Sequence, residues 1–180
     1  MVNLRRTRVL LVAALITCAA SELASADPFI LTSPAFAAGG AIPKQYTCEG
    51  ADRSPPLAWQ GAPVATRSLV LMVDDPDAPD PAAPTMTWVH WLLYAMPTTM
   101  SQLPEDAVPA AMRAGTNDFQ RTRYGGPCPP IGRHRYYFKL SALDIELADL
   151  GAPTKAALET AMRGHVLASA LLIGTYKKGD

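Results

Sequence analysis

Three segments of the chain carry residue types able to hold or transform a small molecule. The first is Asp74-Asp75-Pro76-Asp77-Ala78-Pro79. Its carboxylates repel one another, and aspartates in turns ordinarily relieve this by accepting backbone N–H bonds. Here the two prolines remove two of those donors and stiffen the loop. A strand ending in Asp-x-Asp is also used by aspartyl nucleophiles in phosphoryl transfer, but the glycine-threonine continuation and the lysine motif of such enzymes are missing. The second segment is Trp88-Val89-His90-Trp91. A histidine flanked by tryptophans occupies a poorly solvated place, where its charge depends on its neighbours. It is either a hydrogen-bonded core residue or a ligand contact. The third runs from Tyr124 through Gly125-Gly126-Pro127-Cys128-Pro129-Pro130 to His134-Arg135-Tyr136. Glycines and prolines make this a stiff, tightly turned loop, and it ends at the second of only three histidines in the chain. Two histidines with Asp75 also form the facial donor set of several metalloenzymes, so a metal-dependent hydrolase is one alternative. No serine or cysteine stands beside a histidine in a recognised nucleophilic arrangement.

These segments need a frame, and the pattern around them is that of a β-rich domain. Short apolar runs bounded by turn residues predict strands over Phe29–Leu31, Leu57–Gln60, Ser68–Val73, Thr87–Met96, Arg135–Leu143 and Ala168–Tyr176. The run Ser68-Leu-Val-Leu-Met-Val73 is apolar throughout, which predicts burial on both faces. Strict alternation places Trp88, His90, Leu92 and Tyr94 on one face of the next strand and Val89, Trp91, Leu93 and Ala95 on the other. By the same rule His134 and Tyr136 share a face and Arg135 points away. One helix is predicted over Lys155–Arg163, capped by Thr154, striped by Leu158, Ala161 and Met162, and closed by Gly164. The Pro79–Pro84 stretch is a loop too short to separate domains.

The N-terminus reads as an address. Arg5, Arg6 and Arg8 precede an apolar run from Val9 to Ala20, and Ala24-Ser25-Ala26 offers the small residues of a cleavage site. About 12 apolar residues fall short of the roughly 20 needed to span a bilayer. The expectation is a secretory leader over residues 1–26 and a single domain over 27–180, periplasmic or secreted. Leu15-Ile16-Thr17-Cys18 is a poor lipobox, so lipid anchoring is the weaker alternative. The leader holds three of the 16 basic and one of the 16 acidic residues, leaving 13 against 15 and a net charge of −2. No basic face is implied, and nucleic acid is not an expected partner. Cys48 and Cys128 remain in the exported domain, where they either pair or persist as two buried thiols.

Taken together the motifs resemble those of the phosphatidylethanolamine-binding proteins, most closely the bacterial branch often called Raf-kinase-inhibitor-like. Asp-Pro-Asp-Ala-Pro at 75–79, Trp-x-His-Trp at 88–91 and Gly-Pro-Cys-Pro-Pro through Gly-x-His-Arg-Tyr at 126–136 carry the likeness. Tyr46-Thr47-Cys48-Glu49-Gly50, Ser54-Pro55-Pro56-Leu57-x-Trp59, Gly164-His165-Val166-Leu167-Ala168 and Gly174-Thr175-Tyr176 extend it across the chain after the leader. The resemblance implies a mainly β fold with a large central sheet, a smaller second sheet and a few peripheral helices. It also implies one small anion pocket, walled here by Asp75, Ala78, Pro79, Trp88, His90, Gly126, Pro127, His134 and Tyr136, with no cofactor, no metal and no catalysis. Two departures bear on the ligand. The loop before His134 is shorter than in the animal members and contains Cys128, and the C-terminal helix that closes their pocket is not expected after Tyr176.

A phosphate or phospholipid head group in such a pocket needs donors. The expected ones are ring N–H groups of His90 and His134, the O–H of Tyr136 and a backbone N–H of Gly126 or Cys128. Asp75 is expected to accept the second N–H of one histidine, or to meet the ammonium of an ethanolamine-like ligand. Imidazolium donors imply binding that weakens above about pH 6.5. The remaining alternative is an exported inhibitor of a protein partner such as a protease.

Overall fold

The computed structural model describes residues 27–106 and 112–179, so the expected leader lies outside the described residues. In chain order the elements are β1 (Ile30–Thr32), a 3-10 turn (Lys44–Tyr46), β2 (Leu57–Gln60), β3 (Ser68–Asp75), β4 (Trp88–Met96), β5 (Gln102–Leu103), β6 (Arg113–Ala114), β7 (His134–Leu143), α1 (Lys155–Met162) and β8 (Val166–Tyr176). They form a five-stranded sheet ordered β6-β4-β3-β7-β8 and a three-stranded sheet ordered β1-β2-β5. All strand pairs within the two sheets are antiparallel. The fold is mainly β, as the resemblance implies.

β3 is the centre of the molecule. All eight of its residues are buried, because one face meets the small sheet and the other meets α1. On the first face Leu69, Leu71 and Val73 pack with Trp91 and Leu93 of β4 and with Tyr136 and Phe138 of β7. Leu31, Leu57, Trp59 and Leu103 of the small sheet close that layer. On the second face Val70 and Met72 pack with Val89, Leu92 and Tyr94, covered by Leu158 and Met162 of α1. Each fully buried large side chain contributes roughly 1.5–3 kcal/mol.

The helix forms where its caps predict. Thr154 accepts from the Ala157 N–H at 3.4 Å, and Gly164 takes φ +83° just past the end. Lys155 anchors the helix to the sheet through an ion pair with Asp74, a residue 1% exposed that Lys139 of β7 also meets at 3.2 Å.

β4 departs from the expected alternation. Val73 pairs with Trp91, yet the next residue Asp74 pairs with Val89, so His90 is an extra residue opposite no partner. This bulge puts His90 on the small-sheet face with Trp88, Trp91 and Leu93, while Val89, Leu92 and Tyr94 face the helix. A second irregularity lies between the Leu71–Leu93 and Leu69–Met96 pairs, where Ala95 adopts φ +52°. β5 and β6, two residues each, were not anticipated, since so short a run carries no periodic signal.

Candidate binding cavity

At the end of the sheet where β3 finishes and β4 and β7 begin, a cavity of about 320 Å³ opens to solvent. Asp75, Ala78, Pro79, Trp88, His90 and His134 line it, six of the nine residues expected there. Cys128, Met86, Phe119, Pro129 and Pro130 complete the wall.

The three aspartates of the first segment serve three purposes. Asp74 holds the two lysines on the helix side. Asp75 accepts the Asp77 N–H at 2.8 Å through one oxygen and meets His134 Nδ1 at 2.7 Å through the other. Asp77 binds Arg135 at its main-chain N–H, its Nε and its Nη2. The Arg135 hydrogen bond holds the Asp77 carboxyl below its ordinary range against the effect of burial. Mutual repulsion in this loop is therefore relieved by separate partners.

His134 is fully buried and held at both ring nitrogens, by Asp75 at Nδ1 and by the Ile131 carbonyl at 3.0 Å from Nε2. Both partners only accept, so each ring nitrogen of His134 faces an acceptor supplied by the protein itself. The ring thus ties Asp75 to the rim loop at Ile131, and its placement is that of a positioning residue instead of the expected ligand donor.

His90 also corrects the expectation. Its Nδ1 lies 2.6 Å from the Gly125 carbonyl, which can only accept, so Nδ1 donates. Burial holds the imidazole below its ordinary range, outweighing the opposite pull of Gly125 and of Asp75, Asp74 and Asp118. The ring is neutral at physiological pH, and Nε2 is a bare acceptor, buried and without a hydrogen-bond partner among the described residues. Another such atom is the neighbouring hydroxyl of Tyr136. Burial, with Asp75 adding to it, pushes that phenol up, so it stays a donor. Tyr136 packs edge-on to His90, with ring centroids 5.2 Å apart.

Gly126, Pro127 and Tyr136 stand behind the cavity wall instead of on it. The Gly126 N–H donates to Asp52 at 2.6 Å, and a Cβ there would meet the Tyr46 carbonyl at 2.4 Å. Its conformation serves close packing of the rim loop, so its amide is not a ligand donor. Pro127 accepts the Cys48 N–H at 3.1 Å. Beside that contact Cys48 and Cys128 form a disulfide with Cα atoms 5.4 Å apart, settling the two readings of this pair. Met86 and Phe119 went unread in the sequence, because loop residues have no period. Phe119 is presented by a turn that the buried Asn117 organises, donating to the His90 and Arg123 carbonyls and accepting from the Phe119 and Arg121 N–H groups. The Asn117-Asp118 pair directly before Phe119 is the turn signal by which this loop could have been found.

The facial metal set is not assembled. His134 has both nitrogens against protein acceptors, and no group of three His, Cys, Asp or Glu side chains among the described residues is placed to hold one metal ion. No helix among the described residues is long and apolar enough to cross a membrane.

Two stacked antiparallel sheets with one small cavity at the strand ends, apolar walls and a histidine floor define a β-sandwich binding protein. Residues 32–177 match the pattern of the phosphatidylethanolamine-binding proteins, and the chain belongs to that family. It is 45% identical over 148 residues to a UPF0098 protein of Chlamydia trachomatis, covering 82% of this chain and 98% of the relative. A UPF0098 protein of Aquifex aeolicus is 45% identical over 155 residues, covering 81% and 86%. Among solved structures, a phosphatidylethanolamine-binding protein homologue from Chlamydia trachomatis superposes with a TM-score of 0.78 at 43% identity, covering 83% of this chain and 97% of that one. E. coli YbcL, described as a member of the mammalian family, superposes with a TM-score of 0.74 at 30% identity, covering 83% and 98%.

Proposed function

We propose that this protein binds a small phosphate-bearing ligand in the cavity and performs no chemistry on it. The observation that carries the reading is the convergence of Asp75, His90 and His134, distant in sequence, on one cavity walled by Trp88, Phe119, Met86 and prolines. Family membership supports ligand binding in general, and the relatives' names describe no enzyme. The apolar wall suits the carbon part of an ester or head group, and the floor suits its polar end. A few polar contacts of this kind support affinities in the micromolar to millimolar range.

Met86 offers a test, because it lines the cavity yet is 46% exposed, so Met86→Trp fills the mouth without entering the core. Calorimetric titration with inorganic phosphate and with phosphorylethanolamine should give saturable heat for the wild type and at least about tenfold weaker binding for the variant. Absence of binding, or equal affinity in the two proteins, would dismiss the cavity as the ligand site.

A further inference from the structure

The large sheet ends on β8, and that edge is divided in two. Its second half is covered by the segment after Phe36. Gly39 donates to the Ile173 carbonyl at 2.7 Å, Thr175 to the Gly40 carbonyl at 2.8 Å, and Ile42 to the Thr175 carbonyl at 2.8 Å. These bonds fix which backbone groups face away from β7. Ile173 and Thr175 face outward, so by strand alternation Leu171, Ser169 and Leu167 do too. Among the described residues nothing bonds to the outward backbone of those three. An open edge is ordinarily blunted by charge, proline or brevity. β8 spans 11 residues with neither a charge nor a proline, and it exposes Val166, Leu167 and Leu171. The opposite edge, β6, is only two residues long.

The open stretch Leu167-Ala168-Ser169-Ala170-Leu171 reads the same in both directions. An antiparallel second copy, related by a two-fold axis at Ser169, therefore sets Ser169 against Ser169 and each Leu167 against a Leu171. All three positions present outward N–H and C=O groups, so each becomes a hydrogen-bonded pair. Leu167 and Leu171 share a face, and four leucines meet on one side of the joined sheet. The stretch is bounded by the Gly39 bond to Ile173 at one end and by the register shift before Ala168 at the other. We propose that the protein pairs with a second copy of itself through β8, edge to edge about Ser169. The cavity lies at the Tyr176 end of β8, where Tyr176 pairs with His134, roughly 23 Å along the strand from Ser169. Antiparallel pairing sends the two cavities to opposite ends of the dimer, so the inference is independent of what they bind.

Sedimentation equilibrium of protein recovered from cells expressing the full chain should show a reversible monomer–dimer balance in the micromolar range, as a small interface gives. Ser169→Lys sets like charges across the axis and should weaken association at least about tenfold while circular dichroism stays unchanged. Cross-linking reads the register. A hydrogen-bonded antiparallel pair holds its Cα atoms about 5.5 Å apart, within reach of a disulfide. Ser169→Cys should therefore give a covalent dimer under oxidised glutathione, linked 169 to 169 in peptide maps. Leu171→Cys should not link to itself, since the axis separates the two copies of that position by roughly 14 Å. A wild type that stays monomeric up to about 1 mM would overturn the proposal and leave the edge to a strand of another protein. A dimer that Ser169→Lys leaves intact would overturn it too, as would one that links equally well through Leu171→Cys. Should Ser169→Lys fail to fold, the wild-type equilibrium and the two cysteine variants still decide.

Discussion

The single residue with the widest reach is His90, because burial keeps its ring neutral at the cost of stability in acid. Its folded value lies below the ordinary imidazole value of about 6.5. Below that pH the unfolded chain binds a proton that the folded chain refuses. Stability therefore rises with pH across this window; the contribution is complete above about 6.5 and is lost as the pH falls. The slope approaches about 1.4 kcal/mol per pH unit for one group. Urea denaturation of wild type and His90→Phe between pH 5 and 7 should show the wild type losing stability more steeply in acid. Parallel profiles would remove His90 from the account, since His134 and His165 are common to both proteins. At this scale the sequence disclosed which residues meet but not the direction of their hydrogen bonds. His90 and His134 were legible as partners in one site. The partners of their ring nitrogens were not, because the carbonyls of Gly125 and Ile131 are backbone acceptors with no residue type to read.

At the scale of elements, the junction of α1 with the large sheet rests on a buried carboxylate. Asp74 is 1% exposed and sits between Lys155 of the helix, 20% exposed at its side chain, and Lys139 of β7, 43% exposed. Lys155→Met should lower stability by about 1.5–3 kcal/mol, the range for hydrogen bonds to charged groups. Lys139→Met should cost less, since its ammonium keeps more of its water. Chemical denaturation midpoints measure both, and an equal loss would contradict the assignment of Lys155 as the main partner. Strand and helix positions were largely readable because burial on one or two faces leaves a period in the sequence. β3 was recognised from its unbroken apolar run, and α1 from Thr154, Leu158 and Gly164. Side-chain direction in β4 was not readable, since a period of two presumes that no residue is added to the strand.

For the molecule as a whole, the Cys48–Cys128 disulfide links segments 80 residues apart and fixes the rim loop to the turn after Tyr46. Replacing both cysteines with serine should lower stability by about 2–5 kcal/mol. It should also weaken binding of inorganic phosphate, because Cys128 is part of the cavity wall. A double variant as stable as wild type in thermal melts would show that packing of Gly126 against Tyr46 and Asp52 suffices. That pairing stayed open in the sequence because spacing along a chain says nothing of proximity between loops. The bulge in β4 carries a last consequence. Because His90 stands opposite no residue of β3, a strand one codon shorter would still turn Trp88 and Trp91 inward and Val89 and Leu92 toward the helix. A residue of the cavity wall is therefore supernumerary to the scaffold. Such a site can arise or vanish by insertion or deletion, without rearranging the core that carries it.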